Sequence, residues 1–156
     1  MGIEAEANAF MDMVDKLIDY TMVTDMTDAA VKEIQSKVQT EVYDKYTPRV
    51  YQRKKEKYGL LDPGAAPAGS MEIHYESQTQ TLTVEDVRED WEPTRERHRG
   101  RNVAEVVESG SGYDWKDIPP RPFHKKAEEA LINSGEADRV LQKAMDDNLA
   151  GDRWSL

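Results

Sequence analysis

"GSGYDWKDIPPRPFHKKAEEAL", residues 110–131, passes from two glycines through a pair of aromatics into three prolines, and then directly into a helical pattern. Pro122 suits the first turn of a helix, where an amide N–H has no intrahelical acceptor and the ring's fixed φ is already helical. Pro119 and Pro120 hold the approach extended, so that Phe123 is delivered to a core while Arg121 is aimed elsewhere. Downstream, Phe123, Ala127, Ala130 and Leu131 recur at helical spacing. Gly135 interrupts, and Ala137, Val140, Leu141, Ala144 and Met145 take the period up again. Upstream, Val103, Val106 and Val107 spell either a short helix capped by Asn102 or a short strand. If helical, the segment would be closed by Gly110 in a left-handed conformation.

Working outward, Ile3, Ala7, Phe10, Val14, Leu17, Ile18 and Thr21 recur at three and four, the mark of an amphipathic helix. Thr24 to Asp28 carries hydroxyls and carboxylates suited to capping, which predicts a break and a second helix through Val31, Ile34, Val38 and Val42. That helix ends near Tyr46, because Pro48 disfavours the helical conformation at Thr47. Its β-branched residues lower intrinsic propensity, so packing against the first helix should supply the difference. A basic, aromatic connector follows and becomes a Gly, Pro and Ala loop between Asp62 and Ser70. Met71 to Ser77 alternates, Gln78 to Gln80 forms a polar turn, and Leu82 and Val84 alternate again, which predicts a β-hairpin. Glu89 to Gly100 is almost wholly charged and contains Pro93, so it reads as a solvated loop or a docking arm.

The fold class expected is α+β: two N-terminal helices, a small antiparallel β-sheet built on a hairpin, and a C-terminal helix, with long charged loops. The chain reads as a single domain over 1–156, with a helical part (1–47), a connector (48–70), and a hairpin with the C-terminal helices (71–156).

Composition sets limits on function. With 38% hydrophobic and 33% charged residues, the expected product is a small core carrying exposed arms, and such arms generally need a partner. A formal charge of −10, from 21 basic and 31 acidic residues, argues against a protein that coats nucleic acid. The sign is uneven, however. Arg49, Arg53, Lys54, Lys55 and Lys57 cluster around one acid, Glu56, and Arg95, Arg97, Arg99 and Arg101 cluster around another, Glu96. Two basic islands on an acidic chain suggest docking onto acidic neighbours, other copies of itself included. A nucleic-acid contact through Arg49 to Tyr58 is the competing reading of the first island. The chain has no cysteine, so disulfides and thiolate metal sites are excluded and cytoplasmic folding is the default. The opening residues MGIEAEANAF lack a secretory pattern, Glu6 occupies the position where a myristoylation motif wants Ser or Thr, and no apolar run approaches the length of a membrane span.

No catalytic, cofactor-binding or metal site is expected. His74, His98 and His124 lie far apart and lack ligand spacing. His74 falls on the solvent side of its strand, and His124, in the first turn of a helix, reads as a surface residue. Ser109-Gly110-Ser111-Gly112 has neither the context of a nucleophile elbow nor that of a phosphate loop. Asp12, Asp15, Asp19 and Glu41 read as the wet faces of amphipathic helices.

The opening motif, taken with what precedes it, resembles the tail-completion or head–tail joining proteins of long-tailed bacteriophages. In that family a Glu-x-Gly step is followed by a spacer and a Pro-Arg-Pro-Phe signature that opens the last long helix. Glu108, Gly110, Tyr113, Pro120, Arg121, Pro122 and Phe123 match it residue by residue, although Ser111-Gly112 stands where the family places a Thr. The resemblance implies a non-enzymatic virion subunit without cofactors that forms a ring in the neck, as a hexamer or a dodecamer. Its partners would be the adaptor and portal on the capsid side, and the tail terminator or tail tube on the other. DNA would only pass through the channel, with no membrane involved and with assembly in the bacterial cytoplasm. An acidic lumen would let DNA slide without sticking. Because ring subunits meet through two different faces, Arg49, Arg53, Lys54, Arg95, Arg97 and Arg99 are the expected interface residues. An acidic protein that captures a basic partner is the alternative class.

Overall fold

The computed structural model describes residues 3–45, 71–86, 103–110 and 119–149. Helix α1 (Ile3–Thr21) leads into a widened turn, Met22–Met26, then α2 (Thr27–Lys37) and a second widened turn, Val38–Tyr43. The α+β class stands, but the two N-terminal helices run on without a break. Thr21, Met26, Thr27, Lys37 and Val38 all keep right-handed helical dihedrals, so residues 3–43 form one rod roughly 60 Å long at 1.5 Å per residue.

The reason lies in the threonines. The expected capping hydroxyls instead donate back along the same helix, Thr24 to the Tyr20 carbonyl (2.8 Å) and Thr27 to that of Met22 (3.0 Å), as does Thr21 of the first stripe to that of Leu17 (2.8 Å). A hydroxyl on a helix carbonyl competes with the backbone N–H for it and favours a local i→i+5 pattern. The widened turn also places side chains. In a regular helix a step of five residues swings a side chain about 140° away, yet Thr21 and Met26 are both buried. The extra residue in the turn returns Met26 to the packed face, from which Ala30, Ile34, Val38 and Val42 continue it.

Strands β1 (Met71–Glu76) and β2 (Thr81–Asp86) pair antiparallel, with Met71 opposite Asp86 and Glu76 opposite Thr81. The Ser77 carbonyl accepts from the Gln80 N–H at 3.3 Å, and Gln80 takes a left-handed φ of 50° to close the turn. A lone hairpin is marginal in water. This one is held because Met71 enters the core and Val84 packs against it.

Helix α3 (Val103–Ser109) resolves the helix-or-strand ambiguity, and Gly110 closes it with φ 69°, its N–H on the Val106 carbonyl at 3.1 Å. Helices α4 (Phe123–Asn133) and α5 (Glu136–Leu149) follow, separated at Gly135, whose φ is 68°. The main core joins Ile34, Val38 and Val42 of the rod to Met71, Ala104, Val107, Phe123 and Ala127. Phe123, with no exposed surface, is its largest fully buried side chain among the described residues. Helix α5 packs along the rod beside α1, the first widened turn and α2.

Candidate functional site

The motif that carried the resemblance is a structural junction. Pro122 lies one position outside α4 rather than in its first turn. At φ −75° and ψ 71° it is the centre of an inverse γ-turn, with the Phe123 N–H on the Arg121 carbonyl at 2.8 Å. Pro122 makes no side-chain cap. The cap comes from α3, where the Glu108 carboxylate accepts the His124 backbone N–H at 2.7 Å, a charge-assisted bond at the positive end of a helix. The Arg121 N–H reaches back to the carbonyls of Glu108 (3.0 Å) and Val107 (3.3 Å). Glu108, Gly110, Arg121, Pro122 and Phe123 thus act together to seat α4 on the rod.

His124 is not the surface residue expected from its position in the first turn. Its Nε2 accepts the Asp86 backbone N–H at 3.4 Å, and its Nδ1 lies 3.2 Å from Glu108 Oε1. With Nε2 as the acceptor, Nδ1 is the nitrogen turned to the Glu108 carboxylate. The ring ties the end of β2 to the start of α4, which no local sequence pattern signals because Asp86 is 38 residues away.

Two of the supposedly wet carboxylates also bind across the fold. Asp19 accepts the Tyr75 hydroxyl at 2.7 Å and the Ser77 hydroxyl at 2.8 and 2.9 Å, fastening the hairpin to the rod. The Tyr75 hydrogen bond, seconded by that of Ser77, holds the Asp19 carboxyl below its usual range. The same bond, with burial and the nearby charges of Asp19 and Asp15, pushes the Tyr75 hydroxyl up to about 12. Glu41 accepts from Lys126 at 2.5 Å and also from Lys45, and these two ammonium groups, Lys126 first, lower its pKa. His74 is exposed, as its place on the strand implies, with the Glu72 carboxylate 3.4 Å from its Nε2.

Arg49, Arg53, Lys54, Arg95, Arg97, Arg99, Tyr113 and His98 lie outside the described residues. Pro120, described, is exposed. What sequence reasoning missed is an apolar face left bare on the rod. Residues 4–12 of α1 are all exposed, including Phe10 (52%) and Met11 (57%), although Leu17 and Thr21 on the same stripe are buried. The 3,7,10,14,17,21 spacing was the available signal; it could not show where cover would stop. Among the described residues no group of three or more His, Asp or Glu could hold a metal ion, and no helix is long and apolar enough to cross a membrane.

Set against known proteins, residues 7–147 match the profile of one family, described as YomN. No curated protein and no solved structure matches the chain.

Proposed function

This chain belongs to the YomN family, a phage-derived gene family of the Bacillus SPbeta type, and on that premise we propose that it is a structural protein of the virion neck. In this reading, copies form a ring between the portal or adaptor and the tail, around the channel through which DNA passes, and the chain performs no catalysis. The observation that carries it is the junction. Glu108, Gly110, Arg121, Pro122 and Phe123, the described part of the neck-protein signature apart from Pro120, bond or pack to set α4 on the rod. The signature therefore fixes an architecture rather than assembling reacting groups.

The electrostatics support the same reading. Of the five described side chains with a resolved shift, Asp19, Tyr75, Glu41 and Lys126 fasten one element to another, while Lys143 pairs with Asp147 within α5. A net charge of −10 suits a passage for DNA, since a strongly basic lumen would hold phosphates. The test is charge reversal of Arg49, Arg53 and Lys54, and separately of Arg95, Arg97 and Arg99, to Glu. Loss of ring mass and of tailed particles is the expected result. Unchanged assembly in both sets refutes the interface assignment. A stable monomer that ignores portal and tail proteins yet captures a basic host protein refutes the neck role in favour of the acidic binding class.

A further inference from the structure

We propose that the side of α1 carrying Glu6, Ala9, Met13 and Lys16 joins two copies of this chain as an antiparallel pair about a two-fold axis, a contact separate from any ring interface. These residues, with Tyr20 after them, recur at alternating steps of three and four, the spacing of a seam between two helices. The structure leaves that seam open. Residues 4–12, Lys16 and Tyr20 are exposed, and Met13 is half-buried. Leu17 and Thr21, which α1 turns inward, lie on a neighbouring stripe. Phe10, 52% exposed, borders the seam one residue beyond Ala9.

Charge selects the occupant. Lys16 is the one basic residue of α1, set among the acids Glu4, Glu6, Asp12, Asp15 and Asp19. In an antiparallel pair centred on Met11, Glu6 of each copy faces Lys16 of the other and Ala9 faces Met13, so the axis repeats one ion pair twice. Shifting the pair by one heptad in either direction separates those charges. A parallel pair sets Glu6 against Glu6 and Lys16 against Lys16, which is repulsive. Glu4 and Asp15 lie off the seam, and Asp19 is engaged by Tyr75 and Ser77 of the hairpin. The two Phe10 side chains come together on one flank of the axis and the two Asp12 carboxylates on the other. Of these meetings, Asp12 with Asp12 alone is repulsive. A closed ring needs two different faces, whereas this contact uses one face twice, so it goes beyond the neck reading and holds the chain as a pair outside a ring.

Sedimentation of the isolated full-length chain tests the pair. The wild type should run as a dimer. Glu6→Lys and Lys16→Glu should each weaken it at least about tenfold (~1.4 kcal/mol), with unchanged circular dichroism spectra, because each variant sets like charges opposite. Mixed together, the two variants should pair again, since every Lys then meets a Glu. Glu4→Lys, the same charge change off the seam, should leave the dimer as it is, and Asp12→Asn should tighten it. Failure of the mixture to pair, or an equal loss with Glu4→Lys, would overturn the seam. The chain has no cysteine, so Ala9→Cys chains mixed with Met13→Cys chains should give mixed disulfide dimers under mild oxidation. Disulfides between two Ala9→Cys chains in place of mixed ones would overturn it in favour of a parallel pair. A wild-type chain that stays monomeric alone overturns the pair outright, including where purified portal or tail protein then covers Phe10. The neck reading fails separately, if particles hold no ring of this chain.

Discussion

The chain has two phenylalanines, and the structure assigns them opposite fates. Phe123 has no exposed surface and lies among Val38, Val107 and Ala127 in the core, where the rod, the hairpin, α3 and α4 meet. Phe10 is 52% exposed. Truncating a fully buried phenylalanine removes its transfer free energy and leaves a cavity that the surroundings only partly fill, for a cost of about 3–5 kcal/mol. The residues around it come from four separate elements, so no single shift can close the gap, and the upper half of that range is expected. Against the roughly 5–15 kcal/mol that holds a typical domain together, Phe123→Ala should remove about a quarter or more of the total. At about 2–4 °C per kcal/mol for a chain of this size, its melting temperature should fall by about 8–20 °C. Phe10→Ala, measured on dilute monomer, should stay within about 0.5 kcal/mol of the parent. Urea unfolding followed by circular dichroism at 222 nm measures both. Equal losses for the two variants, or less than about 1 kcal/mol for Phe123→Ala, would refute the placement of the core.

Glu108→Ala removes the cap that α4 takes from α3 and should cost about 1–2 kcal/mol in the same assay. Gln80→Gly relieves the left-handed φ at the hairpin turn and should stabilise by about 0.5–1 kcal/mol in thermal melts. The Tyr75 hydroxyl, raised from 10.0 to about 12, contributes stability that is complete below its unfolded value of 10.0 and is lost as pH rises through about 12. Ultraviolet titration should show one tyrosine ionising near 12, and Asp19→Asn should return it toward 10. Glu41, lowered from its ordinary value of 4.5 chiefly by Lys126, contributes stability above that value that is lost as pH falls through its lower folded one. Lys126→Met should therefore flatten the acid limb of the stability profile.

Local patterns were legible in the sequence, while distant contacts were not. Strand alternation around Met71 and Leu82, the left-handed close at Gly110 and the burial of Phe123 all follow from spacing and turn chemistry within a few residues. The continuity of the rod did not, because threonine and aspartate near residue 24 suit an N-cap as well as they suit back-bonding, and only packing against α5 decides between them. Asp19 and Glu41 looked like solvent-facing carboxylates because their partners stand 56 and 85 residues away. His124 was misread for the same reason. Pro122 was placed one residue too far into its helix, since the proline φ fits both an inverse γ-turn and a first helical turn, and only ψ separates them.

The central claim is that copies of this chain form a ring in the neck of a phage particle. Cryo-electron microscopy of purified virions that carry it tests this most directly. The account predicts ring density between portal and tail tube that accommodates the helical rod of residues 3–43, in six or twelve copies. Particles whose neck is complete without this chain would contradict it.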